Sequence, residues 1–181
     1  MSVKKTPIVW LTGMSGAGKT TLSLEVLLSL QKKGYKVRIV DGDDVRNKYK
    51  KRLGFSREDV MTNNMYIVQM CKELREAVDL IIVPVISPFF EVRDKVRECL
   101  EPNFHLVYLK VDIECLKVRD TKGLYLAADK GEVTNLIGYS ESTPYEEPKD
   151  AEVTINTSGE SELYESKRIL MDYIKPFLEL T

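Results

Sequence analysis

The chain's 181 residues hold 27 Lys+Arg against 28 Asp+Glu, a net charge of −1 at pH 7, with 43% apolar and 30% charged residues. That balance describes one globular domain with its own core, and excludes a disordered chain and a polybasic binder of nucleic acid or anionic membrane. No apolar run approaches the ~20 residues that cross a bilayer, and the run at 8–11 is too short for a secretory leader, so a cytoplasmic protein is expected.

Apolar runs of strand length alternate with segments of helical period, which predicts an α/β fold with a parallel sheet. In chain order, a strand is expected over 8–11 and a helix over 20–33, whose apolar face is Leu22, Val26, Leu27 and Leu30 and whose end Gly34 suits. A second strand follows at 37–40, then an irregular basic stretch at 47–57 containing Gly54, then a helix over 58–78 with a stripe at Val60, Ile67, Cys71, Leu74 and Val78. A third strand at 80–86 leads to a helix at 91–100, and a fourth strand at 105–111 to a short helix at 113–118. Residues 121–149 are glycine- and proline-punctuated with little apolar periodicity, the pattern of a lid or a disordered loop, with a lid preferred from its place between the last two strands. A fifth strand at 153–155 and a helix at 160–178, with Pro176 near its end, complete the chain. Cys71, Cys99 and Cys115 lie in apolar-patterned segments without a C-x-x-C pair, so free thiols in a reducing compartment are expected, not zinc ligands. His105, the one histidine, sits inside a strand-like run and reads as a packed side chain.

The strongest chemical signal is Gly13-Met14-Ser15-Gly16-Ala17-Gly18-Lys19-Thr20, which fits G-x-x-x-x-G-K-[ST] between the first strand and the first helix. In this motif loop amides turn inward on phosphate oxygens, the helix N-terminus adds partial positive charge, Lys19 reaches the β- and γ-phosphates and the Thr20 hydroxyl binds Mg²⁺. The fold is therefore expected to be a P-loop NTPase-type three-layer sandwich with a five-stranded parallel sheet, a single domain over 1–181 with its lid at about 121–149. Asp120-Thr121-Lys122-Gly123 matches the D-x-x-G of GTPases, but no N-K-x-D follows. The third strand carries no metal-binding aspartate either, so the carboxylates must come from Asp41-Gly42-Asp43 at the end of strand two. One of these can hold a metal-bound water and the other can orient an acceptor hydroxyl; an Asx turn capping a helix is the alternative. Three further signals sit at the same rim: the hydroxyl of Ser87, the Phe55 ring in Gly54-Phe55-Ser56, suited to stacking on a nucleobase or to a small satellite core, and Arg119 with Lys122 ahead of a Gly123 hinge.

Taken in order, Gly13–Thr20, Asp41-Gly42-Asp43 with Arg46, Gly54-Phe55-Ser56, Ile86-Ser87-Pro88, Arg119–Tyr125 and Tyr145-Glu146 with Pro148 resemble the adenylylsulfate (APS) kinases, over nearly the whole chain. The resemblance implies transfer of the ATP γ-phosphoryl to the 3′-hydroxyl of adenosine 5′-phosphosulfate. It implies that Gly16, Ala17, Gly18, Lys19, Thr20 and Thr21 hold the ATP phosphates and Mg²⁺; from the motif and the rim residues themselves, Gly13, Ser15 and Arg119 are expected beside them and Asp41 is expected to join Thr20 at the metal. Asp43, Arg46, Phe55, Asn63, Ile86, Ser87 and Lys122 would meet the acceptor, Lys19, Asp41, Asp43 and Ser87 being the catalytic set, and a homodimer is common in the family. Two departures stand out. The family's D-R-x-x-N-x-R-R keeps Asn63 but has Val60, Met65 and Tyr66 in place of its arginines, and its K-G-F-T-G-I-D reads Thr134 to Ser140 here, with Leu136 at the base-stacking phenylalanine. A phosphosulfate is an anion that guanidinium groups bind best, and losing one such contact costs about 2–5 kcal/mol. Lys51, Arg52 or Arg57 are the substitutes within reach in sequence. The expected acceptor is APS; the alternatives are another activated nucleotide, such as cytidine diphosphoramidate, and a non-catalytic nucleotide-binding module.

Overall fold

The computed structural model describes residues 6–48, 53–120, 122–159 and 162–179. Thr121, Glu160 and the loop cations Lys51 and Arg52 lie outside the described residues. The element order is β1 (Ile8–Thr12), α1 (Lys19–Gln31), β2 (Val37–Ile39), α2 (Gly42–Lys48), α3 (Arg57–Leu74), β3 (Leu80–Pro84), α4 (Phe90–Leu100), β4 (Phe104–Lys110), α5 (Ile113–Arg119), α6 (Leu124–Asp129), β5 (Val153–Asn156) and α7 (Glu162–Glu179). The five strands form one parallel sheet in the order β2-β3-β1-β4-β5. Successive residues of a strand face opposite sides, and both sides are covered here. Ile8 and Trp10 of β1, Ile81 and Val83 of β3 and Leu106 of β4 pack with Val60, Ile67 and Val92 of α3 and α4. Val9, Leu11, Ile82 and Leu109 pack on the other face with Leu22 and Val26 of α1 and Leu170 and Ile174 of α7. Continuous apolar strands are the consequence of burial on two faces, each buried aliphatic side chain contributing about 1.5–3 kcal/mol.

That layering also sets the place of a crevice. The connection after β1 runs toward β2 over the α1 face, while the connection after β3 runs toward β4 over the α4 face. Right-handed crossovers in opposite directions must use opposite faces. They leave a crevice at the carboxyl ends of β1 and β3, the switch point of such sheets.

The expected elements are all present, with shifted ends. Gly34 closes α1 in the left-handed conformation, with its N–H on Gln31 O and the Tyr35 N–H on Leu30 O. The third strand stops at Pro84 instead of 86, where the Thr12 hydroxyl takes over the Ile86 carbonyl. The helix expected to reach 78 ends at Leu74. The stretch expected to be irregular from 47 is helical through Lys48, because α2 begins at Gly42 with Asp41 capping it. The segment expected to be a lid carries a helix of its own, α6, whose Tyr125 packs with Leu116 and Leu136 in a satellite core. His105 is buried in β4 with Nδ1 hydrogen-bonded to the Tyr173 hydroxyl at 2.9 Å, a packed side chain as expected. Cys71, Cys99 and Cys115 are free thiols. Among the described residues no helix is long and apolar enough to cross a membrane.

Candidate active site

The loop after β1 curls over the N-terminus of α1. Gly18 precedes that helix at φ 91°, a left-handed conformation that glycine takes without strain, and so aims the next amides into the crevice. The Lys19 ammonium folds back on the loop, donating to Gly13 O and Met14 O at 2.8 Å each. Burial pushes it down to about 8, with Lys122 adding to the fall and Asp43 and Asp41 opposing it. Phosphate oxygens brought to the loop would raise it again, since an opposite charge favours the charged form.

Across the crevice Asp41 plays two parts. Its Oδ1 accepts the Asp43 N–H at 2.9 Å and its carbonyl accepts the Val45 N–H, which caps α2; its Oδ2 accepts the Thr20 hydroxyl at 3.0 Å. The Asx turn and the contact across the crevice therefore belong to one residue. Gly42 is required by close packing: a Cβ there would lie 2.6 Å from Val85 Cγ2, so α2 rests directly on the chain leaving β3. Asp43 stands in the first turn of α2 and pairs with Lys122 at 3.3 Å, a bridge between α2 and the foot of the lid. A cavity of about 400 Å³ lies between the loop and the aspartates, bordered by Ser15 through Thr21, Asp41, Asp43, Ile86, Arg119 and Lys122. Oxygen ligands suit Mg²⁺, and the convergence of the Thr20 hydroxyl and the Asp41 carboxylate at its edge offers two.

Several expected residues occupy other positions than supposed. Ser87 does not present its hydroxyl at the rim. It is buried at φ 43°, its Oγ donates to Asn64 Oδ1 at 2.9 Å and its carbonyl accepts from Arg93, so Ile86 alone of the pair faces the cavity. Asn63 is also buried, its amide 3.3 Å from Gly42 O, where it steadies the aspartate turn. Arg46 stacks its guanidinium on the Phe55 ring at 4.9 Å and binds Gly54 O, which shapes the Phe55 loop. Phe55 itself is 38% exposed and borders a second cavity of about 240 Å³ with Phe89, Arg57 and Asn135. Leu136, expected to face the acceptor, is 7% exposed inside the satellite core, and its neighbour Asn135 lines that second cavity instead. Val60 is 1% exposed within the main core, and Met65 packs against it. Arg57 is held by Glu91 at 3.1 Å and Glu146 at 2.7 Å and lies over the Phe89 ring. Asp120 of the D-x-x-G match caps α6 by accepting the Tyr125 and Leu126 N–H groups, so the GTPase resemblance is one of letters.

Tyr125, Glu146 and Thr157 were not singled out as site residues. The Tyr125 hydroxyl donates to Ser15 O at 2.7 Å and ties α6 to the phosphate loop. Glu146 accepts from the Phe90 N–H and Arg57 and fastens the far end of the lid. Thr157, just past β5, donates to Ala17 O and accepts Arg119 at its carbonyl, which brings Arg119 to the cavity wall. The motifs Arg119–Tyr125 and Tyr145-Glu146 were sequence signals for the first two of these; nothing periodic or charged marks Thr157.

The family model described as adenylylsulphate kinase matches residues 5–156. This chain belongs to the adenylylsulphate kinase family. An adenylyl-sulfate kinase of Bacillus pumilus is 41% identical over 172 residues, covering 94% of this chain and 86% of that one. A probable adenylyl-sulfate kinase of Pyrococcus abyssi is 41% identical over 150 residues, covering 83% and 84%. Among solved structures, the APS kinase of Mycobacterium tuberculosis in complex with AMPPNP and APS superposes with a TM-score of 0.86 at 29% identity, over 94% of this chain and 98% of that one. A gluconokinase from Sinorhizobium meliloti, at 17% identity and a TM-score of 0.62, shares the fold. The three-layer α/β kinase architecture and a kinase activity thus hold for this member of the adenylylsulphate kinase family, with a nucleotide triphosphate as phosphoryl donor.

Proposed function

We propose that the chain transfers the γ-phosphoryl group of ATP to the ribose 3′-hydroxyl of adenylyl sulfate, converting APS to its 3′-phosphorylated product. The observation that carries this is the cavity with a phosphate loop on one wall and Asp41 and Asp43 on the other. Phosphoryl transfer needs positioning and charge neutralisation more than covalent help. The triphosphate lies along the loop amides, with Lys19 leaving the Gly13 and Met14 carbonyls for the β- and γ-oxygens. The donor nucleoside extends to the β4–β5 side, past Arg119 and Thr157, because the β2–β3 side is taken by the aspartates and Ile86. Thr20 and Asp41 would hold Mg²⁺, which would supply charge neutralisation to the triphosphate. Asp43 accepts the hydrogen bond of the acceptor 3′-hydroxyl, and takes its proton as the bond from that oxygen to phosphorus forms and the bond to the ADP oxygen breaks. Lys122, paired with Asp43 at 3.3 Å, keeps that carboxylate aimed across the cavity. The acceptor base lies on the exposed Phe55 ring.

One observation favours a second acceptor. One position of the family arginines is a buried valine, Val60, and Arg57, a cation lining the Phe55 cavity, is already neutralised by two carboxylates. A less highly charged pendant group, as in cytidine diphosphoramidate, suits that wall better than a phosphosulfate. ADP release by the purified chain, measured over a panel of acceptors, separates the readings. Turnover of APS with a kcat/KM in the range of ordinary enzymes, ~10⁴ M⁻¹s⁻¹ or above, supports the first. Turnover of another activated nucleotide with APS inert supports the second. No turnover of any acceptor refutes a kinase and leaves a nucleotide-binding module. Asp41→Asn should lower kcat by about 100-fold or more while ATP still binds, the scale seen for loss of one electrostatic contact in a transition state.

A further inference from the structure

Arg93 of α4 is 2% exposed. Its Nη1 donates to Ser87 O at 2.8 Å and its Nη2 to Glu146 O at 2.7 Å, with the guanidinium 4.9 Å from the centre of the Phe90 ring. Its Nε has no partner among the described residues. A buried charge held by main-chain carbonyls is costly, and an apolar side chain of like volume would fill the space with less loss. Packing therefore does not account for it. What it holds is a strained turn. Ser87 stands at φ 43°, a left-handed backbone that a serine keeps only where its surroundings enforce it. Asn64 accepts the Ser87 hydroxyl, the Thr12 hydroxyl holds the Ile86 carbonyl, and the Glu146 N–H donates to Pro88 O at 2.8 Å. The turn carries Ile86 on the wall of the 400 Å³ cavity that Asp43 also borders. On the other side Glu146 holds Arg57 at 2.7 Å, and Arg57 borders the 240 Å³ cavity with Phe55. One buried guanidinium thus joins the walls of both cavities.

We propose that Arg93 is a positioning residue for the phosphoryl acceptor: by clasping the Ser87 and Glu146 carbonyls it fixes the Ile86 wall relative to the Arg57 and Phe55 wall, and the acceptor spans the two. The inference rests on the acceptor reading above, with the 3′-hydroxyl at Asp43 and the base on Phe55. A planar guanidinium fork reaches two carbonyls at once in a fixed geometry, which an ammonium does not. In-line transfer tolerates little misplacement, a shift of about 1 Å costing about 100-fold. Arg93 itself borders neither cavity and takes no part in the transfer. The donor side stands without it, since Lys19 is held by the Gly13 and Met14 carbonyls of its own loop.

Steady-state kinetics on the full chain test it in the wild type, Arg93→Lys and Arg93→Met, with ATP and whichever activated nucleotide of the acceptor panel the wild type turns over fastest. Rates are taken per ATP-binding site, counted by calorimetric titration with ATP. The acceptor kcat/KM should fall about 10-fold in Arg93→Lys and about 100-fold in Arg93→Met, with the acceptor KM raised, the scale of losing hydrogen bonds from a charged donor. The ATP affinity of the sites that remain should stay within about twofold of the wild type. Arg93→Lys keeps the charge and the stem against Phe90, so the test stands even where Arg93→Met does not fold. A residue that only supports the fold would lower the melting temperature and the number of ATP-binding sites, with the acceptor kcat/KM per site unchanged. That result would overturn the proposal, as would an equal loss for ATP and acceptor. A wild type inert with every acceptor would overturn the acceptor reading along with it, so the two failures are distinct.

Discussion

The lysine of the phosphate loop gives the sharpest prediction, because its surroundings set its charge near working pH. Burial brings the Lys19 ammonium to about 8, from an ordinary 10.5. The charged form grips phosphate, and it is present below that value and lost above it. At pH 9 about a tenth of the lysine remains charged, so kcat/KM for ATP at saturating acceptor should fall about tenfold per pH unit above pH 8, since kcat/KM reports the free enzyme. The donor's terminal phosphate, with a second pKa near ~6, is fully ionised throughout. Lys19→Arg keeps its charge to pH 10 and beyond; its kcat/KM starts lower, since Arg does not reproduce the ammonium's geometry, but should stay flat over the same range. Stability moves oppositely. The folded value lies below the unfolded one, so between about 8 and 10.5 the unfolded chain binds more protons and the free protein gains stability as pH rises. The gain is at most about 3 kcal/mol, at 1.36 kcal/mol per pKa unit. It should appear as a pH-dependent difference in unfolding free energy between the wild type and Lys19→Met, measured in urea. A wild-type kcat/KM that stays level to pH 9.5, or a Lys19→Arg profile that falls just as steeply, would refute the reasoning.

Three other outcomes follow from the geometry. Gly42→Ala forces a Cβ to 2.6 Å from Val85 Cγ2; overpacking of this kind costs about 1–3 kcal/mol, and the displaced Asp41 and Asp43 should lower kcat more than they raise KM for ATP. A variant with wild-type melting temperature and turnover would show that α2 yields freely. Tyr125→Phe removes the bond to Ser15 O and leaves that carbonyl unpaired, a loss of about 1–3 kcal/mol, read as a drop of about 2–4 °C per kcal/mol in a thermal melt; an unchanged melt would put the lid foot elsewhere in solution. Burial pushes the Cys71 thiol up to about 12, so iodoacetamide on the native protein at pH 8 should modify Cys99 and Cys115 first, and mass spectrometry finding Cys71 labelled alongside them would contradict the packing of α3.

What the sequence made legible was whatever a period or a fixed spacing records. The strands stood out because burial on both faces makes them apolar throughout, and the phosphate loop because glycine, lysine and threonine each answer a separate demand of a triphosphate. Asp41 and Asp43 were legible as a pair past a strand end, although the cap and the cleft contact proved to be two uses of the one Asp41 side chain. Directions of side chains were not legible. Ser87 follows a strand just as a rim hydroxyl would, yet its left-handed backbone turns the hydroxyl inward to Asn64. Leu136 sits where a stacking ring was expected, but an aliphatic side chain gains more by joining Leu116 and Tyr125 than by facing water. α2 stood only as the alternative of an Asx turn capping a helix, because its seven residues are too few to display a period.

On the proposed reading, the bond from the Tyr125 hydroxyl to Ser15 O joins the strip of chain that would grip one substrate to the segment that would cover the other. Any rearrangement of that strip on arrival of the first molecule must either keep this contact or break it, and so bears on how the cover sits for the second. Because linkage is reciprocal, whatever factor one guest lends the other's affinity is lent back unchanged, and the order in which they enter alters the route without altering the final complex.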